Sequence, residues 1–282
     1  AILVELARRK LLTTEHIHSL FFRSLRRAQA KVQELRGVGL IETLPARARG
    51  RRPNRHHLTA LGARVAALHL GRAASKLSLP ARDAGLWRLL AHRLGVNDFF
   101  CGLALACDRH PGYGLHAWED EPQIAGGGQR VQADAFGRLL HPGHAVEFLL
   151  EYDRGTEHFW PVVRKLGSYL TVASAHSPEE PVPFPSVLFL VGGEAREAMV
   201  RRAFGVALEQ CWDLRRARSG RVPLYVSNRA LLRAEGSLGA LWQPFAGPDG
   251  RLRLAELPST PECWWEVAEC FRIRWLEAEG AA

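Results

Sequence analysis

The sequence predicts a mixed α/β protein with two domains, and three observations support this prediction. Positive charge is concentrated in the first quarter of the chain, and the stretch at 71–82 is small and polar with a proline, as in a connector. After the connector, helix-like and strand-like patterns alternate. We therefore expect a basic domain over residues 1–76 and a larger α/β domain over residues 77–282.

The basic domain begins with three predicted helices. Residues 1–76 hold 16 lysines and arginines against 4 glutamates, a net charge of +12, so the rest of the chain sums to −3. LVELARRKLL is the first helix, and Thr13 or Thr14 caps the second. Ser24 starts the third, whose apolar positions recur at helical spacing: Leu25, Ala28, Val32 and Leu35.

A predicted β-hairpin with a strongly basic tip follows, and Thr59 then caps a fourth helix. Three helices, a hairpin and a helix are typical of a winged helix-turn-helix, in which one helix enters the major groove of duplex DNA and the hairpin follows the backbone. The alternative is a solvated basic helix beside a disordered loop. The candidate DNA contacts are Arg23, Arg26, Arg27, Lys31, Arg47, Arg49, Arg51, Arg52 and Arg55.

The second domain reads as α-β-β-β-α-β-α-β, a three-layer arrangement with a mixed sheet. A helix runs to about Arg109, and strands follow at LHAWEDE, RVQADAFGRLL and AVEFLLEYD. PVVRKLGSYLTVASA is a helix, SVLFLVGG a strand, REAMVRRAFGVALEQC a helix and VPLYVSN a strand. The glycines of AGGGQ lack nucleotide-loop spacing and a following helix, which favours a hairpin turn.

Carboxylates lie near the ends of two of these strands. Asp134 is on one strand, and Glu151 and Asp153 are two residues apart on the next, so they share a face. Three oxygen ligands of this kind suit Mg²⁺ or Mn²⁺, which can activate water and stabilise charge on a phosphate. Lys165 on the following helix can supply a cation. The alternative is a charge cluster in which Glu151 pairs with Lys165 or Arg154 and holds the domain together without metal.

The order of elements and acids resembles the PD-(D/E)xK nuclease superfamily, which has the restriction-endonuclease-like fold. Asp134 matches the motif's Asp and Glu151 its (D/E), whereas Asp153 stands where the motif has Lys. The resemblance implies that Asp134, Glu151, Asp153 and Lys165 form the catalytic site, with Lys165 replacing the motif lysine.

A second resemblance covers almost the whole chain. The motifs H-x-L-x-V-N-D (92–98), D-A (134–135), E-x-D-R-G-T-E (151–157) and K-L-x-x-Y (165–169) are similar to those of the replication-relaxation family. Ala133 stands where the family usually has proline. The resemblance implies DNA association in the replication or mobilisation of bacterial plasmids and mobile elements.

Two functions remain open at this point. One is a DNA-binding replication or mobilisation protein whose nuclease-like domain is inactive, and the alternative is a metal-dependent endonuclease or nickase targeted by its winged helix. Double-stranded DNA is the expected partner, together with a second copy of the chain on a palindromic site or other replication or mobilisation proteins. Five cysteines without a CxxC pair and the lack of a long apolar run favour the bacterial cytoplasm and no membrane contact.

Overall fold

The computed structural model describes residues 1–44, 54–77, 84–175, 184–210, 223–245 and 250–261. It confirms the mixed α/β class, with eight α-helices and a mixed sheet within those residues. None of the described helices has the length and apolar character needed to cross a membrane. The chain forms two compact units: the first begins at Ala1 and reaches Leu105, and the second begins at Ala106.

The first unit contains four complete helices and a small antiparallel sheet. The elements are α1 (Ile2–Arg9), β1 (Leu12–Thr13), α2 (Thr14–Phe21), α3 (Leu25–Gly37), β2 (Ile41–Leu44), β3 (Arg55–Leu58), α4 (Ala60–Leu70), a 3-10 turn (Ala74–Lys76) and most of α5 (Ala84–Arg109). The strand order is β1-β3-β2. The order of α1, α2, α3, β2, β3 and α4 is the one that the sequence predicts, whereas the short strand β1 and the 3-10 turn were not predicted.

Side-chain caps start the helices where the sequence predicts them. The hydroxyl of Thr13 accepts from the His16 N–H at 3.1 Å, that of Ser24 from Arg27 at 3.3 Å, and that of Thr59 from Gly62 at 3.0 Å. The Thr13 cap is reciprocal, because its own N–H donates to the His16 imidazole. These bonds satisfy N–H groups that have no partner within the helix.

Strands β2 and β3 form the base of the predicted basic hairpin. They pair antiparallel, with Ile41 opposite Leu58 and Leu44 opposite Arg55. The tip, residues 45–53, lies outside the described residues, and with it lie the predicted contacts Arg47, Arg49, Arg51 and Arg52.

The second unit is built on a large mixed sheet. Its elements are the end of α5, β4 (Gly114–Asp120), β5 (Gln123–Gly126), β6 (Gln129–Gln132), β7 (Ala135–His141), β8 (His144–Tyr152), α6 (Phe159–Ala175), β9 (Ser186–Val191), α7 (Glu194–Gln210), β10 (Leu224–Asn228), α8 (Arg229–Glu235), β11 (Ala240–Pro244), β12 (Leu252–Arg253), a 3-10 turn (Leu254–Glu256) and β13 (Thr260–Pro261). The sheet order is β12-β11-β10-β9-β8-β7-β4, and β13 pairs with β8. Strands β8, β9 and β10 are parallel, and the other neighbours are antiparallel.

The predicted strand RVQADAFGRLL is two strands in the structure. Strand β6 pairs with β5 in a separate hairpin, and β7 joins the large sheet, with Asp134 between them. The hairpin turn at Gly127 and Gly128 is confirmed: both have positive φ, 56° and 75°, which a two-residue turn of this kind requires.

The core of the second unit lies between the sheet and the helices α6 and α7. Strand β9 is buried along its whole length, as expected for a central parallel strand. Side chains of β8, β9 and β10 pack there against both helices. The strands contribute Leu149, Val187, Phe189 and Val226, and the helices contribute Leu166, Leu170, Val200 and Phe204. Leu149 is one of the β8 residues whose side chains face α6. Because successive side chains of a strand point to opposite faces, the side chain of Glu151, two residues later, also faces α6.

Candidate active site at the end of strand β8

Strand β8 carries Glu151 into the interior of the second unit. The residue is only 2% exposed, and its register partner in the parallel strand β9 is Phe189. A carboxyl group in such a place requires hydrogen-bond donors, because burying an unpaired charge is highly unfavourable.

Two side chains of α6 provide these donors. Lys165 and Tyr169 are four residues apart, so they lie on the same side of the helix. The Lys165 ammonium donates to Oε2 of Glu151, and the Tyr169 hydroxyl donates to Oε1. Tyr169 is fully buried, whereas the Lys165 side chain is 30% exposed. Both oxygens of the carboxylate are therefore engaged by α6.

Asp134 lies beside this cluster and is held by the main chain of β8. Its N–H donates to the carbonyl of Leu150 at 3.1 Å, and its Oδ2 accepts from the N–H of Tyr152 at 2.7 Å. Its negative charge acts on Glu151, Lys165 and Tyr169. The structure thus brings together three of the predicted site residues, Asp134, Glu151 and Lys165.

Burial controls the protonation of the cluster. It raises the pKa of Glu151 to about 8, although Lys165 opposes the shift; Asp134 adds to it. Burial lowers the pKa of Lys165, but the charges of Glu151 and Asp134 outweigh this, so its pKa is raised. Burial and the neighbouring Glu151 also raise the pKa of Tyr169 well above its usual range. At neutral pH, Lys165 is therefore a cation and Tyr169 a neutral donor.

The fourth predicted residue, Asp153, has a different set of contacts. Its Oδ2 is 2.5 Å from Nε of Arg196 on α7, and its Oδ1 accepts from the N–H of Gly155 at 2.6 Å. Gly155 has a φ of 79°, a conformation that favours glycine. The sequence left two ion-pair partners open for Glu151, Lys165 and Arg154, and the structure contains the pair with Lys165.

The described residues place two carboxylates, Asp134 and Glu151, next to each other rather than three. Glu151 accepts hydrogen bonds from Lys165 and Tyr169, and Asp134 accepts one from the Tyr152 N–H. In the part of the chain that the structure describes, no group of three or more histidine, cysteine, aspartate or glutamate side chains is arranged to hold a metal ion.

Tyr169 and Arg196 are the site residues that sequence reasoning missed. The K-L-x-x-Y spacing places Tyr169 four residues after Lys165, and this helical spacing is the signal that could have identified it. Arg196 gave no such signal, because it meets Asp153 across 43 residues of sequence.

The candidate DNA-contact surface lies on α3 of the first unit. Among the residues of this helix, Ala28 and Val32 are buried. Arg26 and Arg27 are exposed near its N-terminus. The remaining described candidates differ: Arg23 is exposed just before the helix, Lys31 pairs with Glu34 at 2.6 Å, and Arg55 is half-buried in β3.

Comparison with known proteins gives one match. A family model described as replication-relaxation matches residues 3–184, which is more than half of the chain. The matched segment includes α3 and extends past Lys165 and Tyr169. No curated protein and no solved structure matches the chain.

Proposed function

Because the chain belongs to the replication-relaxation family, which indicates a role in replication or mobilisation of a plasmid or mobile element, we propose that it acts there as a double-stranded DNA-binding protein. In this proposal the first unit is a winged helix that contacts the duplex. The second unit is a nuclease-like scaffold without hydrolytic activity. A second copy of the chain on a palindromic site, or another replication or mobilisation protein, is the further partner.

The exposed basic side of α3 is the observation that carries the proposal. The helix contains a single acidic residue, Glu34, and Lys31 pairs with it. Arg26 and Arg27 extend from the first turn, where a recognition helix makes its base-edge contacts. An α-helix fits the major groove of B-form DNA, and arginine binds both guanine edges and phosphates.

The Glu151 cluster supports the scaffold role of the second unit. Lys165 places beside Asp134 and Glu151 the positive charge that a metal ion would otherwise supply. Burial also raises the pKa of Glu151 to about 8, so a metal ion would have to compete with a proton for this carboxyl group. The cluster therefore links β8 to α6 and stabilises the domain without catalysing hydrolysis.

Duplex affinity of the full chain tests this proposal. Replacing both Arg26 and Arg27 by Ala should weaken binding of a labelled duplex by about tenfold or more, since each lost contact is worth roughly 1 kcal/mol or more. The matched control replaces two exposed arginines of the second unit, Arg202 and Arg233, by Ala, and should bind as wild type does. Equal losses in both variants would mean that only net charge matters and that α3 is not the contact surface.

A metal-dependent endonuclease is the second candidate function, and the convergence of Asp134, Glu151 and Lys165 favours it. Supercoiled plasmid distinguishes the two functions. Our proposal expects no nicking above the EDTA control when the protein is incubated with Mg²⁺ or Mn²⁺. Nicking that requires the metal and is lost in Glu151→Gln would establish the nuclease instead.

A further inference from the structure

The outer face of α6, on the side opposite its buried residues, is covered by the β5–β6 hairpin along only part of its length. It consists of the residues that recur there at helical spacing, which are 160, 164, 167, 168, 171 and 175. The hairpin lies over the C-terminal half, since a Cβ added at Gly127 would lie 3.0 Å from Cγ2 of Thr171 and 3.5 Å from Cβ of Ala175. The N-terminal half carries Trp160 and Arg164, and both side chains are exposed.

Trp160 presents a supported aromatic ring at the surface. It is 57% exposed, and among the side chains that the structure describes it is the only exposed aromatic one. The centroid of its ring lies 5.5 Å from that of Phe159, and the two rings meet edge to face at 80°. Phe159 packs in turn against the core of the second unit. The indole is therefore held on one side, while more than half of its surface is open to a ligand.

Positive charge accompanies the exposed ring. Arg164 lies one helical turn after Trp160, about 5–6 Å further along the same face. The sequence of α6 contains no aspartate or glutamate, and Glu157, the acidic residue nearest to it in sequence, lies before the helix. A planar guanidinium binds phosphate oxygens. An aromatic ring beside a cation is the combination with which proteins bind single strands of nucleic acid, because bases stack on the ring while the cation contacts the backbone.

We propose that the N-terminal half of the outer face of α6 binds single-stranded DNA, with a base stacked on Trp160 and a neighbouring phosphate bound by Arg164. Duplex DNA does not fit this arrangement, because the faces of each base are covered by its neighbours in the stack. The choice of DNA over RNA rests on the proposed role in replication or mobilisation. This surface belongs to the second unit and differs from the duplex surface of α3.

Fluorescence anisotropy of the full chain with a labelled oligothymidylate of about 12 nucleotides tests the proposal. Each substitution is made in the wild-type chain and in the chain with Arg26→Ala and Arg27→Ala, so that binding to α3 does not hide its effect. Trp160→Ala should weaken binding about fivefold or more, the smallest effect expected for the loss of one stacked base. Trp160→Phe should retain most of the affinity, because a phenyl ring still stacks. Arg164→Ala should weaken binding and reduce the salt slope by about 0.7, the value for one phosphate of a single strand.

Two exposed side chains on other helices provide matched controls. Leu68→Ala removes an apolar side chain from α4, and Arg202→Ala removes an arginine from α7. Both variants should bind the oligothymidylate as the parent chain does. The melting temperature of Trp160→Ala shows whether a loss of binding comes from unfolding, and the exposed Arg164 provides an independent measurement of the same surface.

The proposal is overturned if the oligothymidylate does not bind, or if Trp160→Ala and Arg164→Ala leave its affinity unchanged. Equal losses in Trp160→Ala and Trp160→Phe would contradict stacking. An equal loss of duplex affinity would assign the surface to duplex DNA, and tighter binding of an oligouridylate would assign it to RNA; either result contradicts the proposal. Duplex binding through α3 is measured separately with the Arg26, Arg27 variant, so the two proposals can fail independently.

Discussion

At the scale of single residues, Glu151 dominates the chemistry of the second unit. Its carboxyl group is buried, yet it accepts from Lys165 and Tyr169. Removing one partner of a buried hydrogen bond leaves the other polar group unsatisfied, which costs about 1–3 kcal/mol. The three side chains therefore act as one unit, and a change at any of them affects the others.

The raised pKa of Glu151 predicts a specific pH dependence of stability. Below pH 4.5 the residue is protonated in both the folded and the unfolded chain. As the pH rises from 4.5 to about 8, the unfolded chain releases this proton while the folded chain retains it. Stability is therefore lost through this window, with a limiting slope of about 1.4 kcal/mol per pH unit.

Urea unfolding between pH 5 and 8 measures this effect. The stability of wild type relative to Glu151→Gln should fall steadily as the pH rises, because glutamine does not titrate. Glu209→Gln, an exposed position on α7, is the matched control and should show no such trend. Lys165 does not interfere, since its pKa is raised from 10.5 and it titrates above the window. A pH-independent difference between wild type and Glu151→Gln would contradict the raised pKa.

At the scale of elements, α4 depends on a glycine that lets it approach the segment before β2. A Cβ added at Gly62 would lie 1.9 Å from the carbonyl oxygen of Leu40, which is main chain and cannot rotate away. Gly62→Ala should therefore lower the free energy of unfolding by about 1–3 kcal/mol, the usual cost of overpacking.

Chemical denaturation compares Gly62→Ala with a matched substitution. Gly205 lies inside α7 with no atom within 4 Å of an added Cβ, so Gly205→Ala should stabilise the protein by about 0.5–1 kcal/mol. Opposite signs at the two glycines are the expected result. If Gly62→Ala is as stable as wild type, α4 does not approach Leu40 as closely as the structure shows.

Local signals predicted these elements well, and non-local pairing was not predictable. The caps at Ser24 and Thr59 and the turn at Gly127 and Gly128 follow from rules that act over a few residues. The break between β6 and β7 at Asp134 depends on pairing with β5 and β8. The pairing of β13 with β8 joins Thr260 to Ala145, and no local pattern indicates such a contact.

The candidate site shows the same division. Asp134, Glu151 and Lys165 lie together, because strand alternation and the order of the elements determine their positions. The contact of Asp153 with Arg196 could not be predicted, since it depends on how α7 packs against the end of β8.

At the scale of the whole molecule, α5 extends the first unit beyond the basic quarter of the chain. Asn97 donates to the carbonyl of Leu11 at 2.7 Å, and the Asp98 carboxylate lies 2.6 Å from the His16 imidazole. These contacts give a structural role to the N-D pair of the H-x-L-x-V-N-D motif. The domain boundary between residues 76 and 77 stays a prediction. It was inferred from charge and composition, which give no information about contacts between residues far apart in sequence, such as the one that joins Asn97 to Leu11.

Segregated charge is the property of the whole molecule on which the proposed function depends. The first 76 residues carry +12 while the remainder carries −3, so a polyanion should be attracted to one end of the sequence. Duplex binding should therefore release counterions and weaken steeply with added salt.

The salt dependence of duplex binding is the most direct test of the central claim that α3 contacts DNA. For the full chain, the logarithm of the association constant should fall linearly with the logarithm of salt concentration, by about 0.9 per phosphate neutralised. Replacing Arg26 and Arg27 by Ala should flatten that slope by up to about 2, and replacing Arg202 and Arg233 should leave it unchanged. A slope near zero for wild type, or one that the Arg26 and Arg27 substitutions do not alter, would contradict the account.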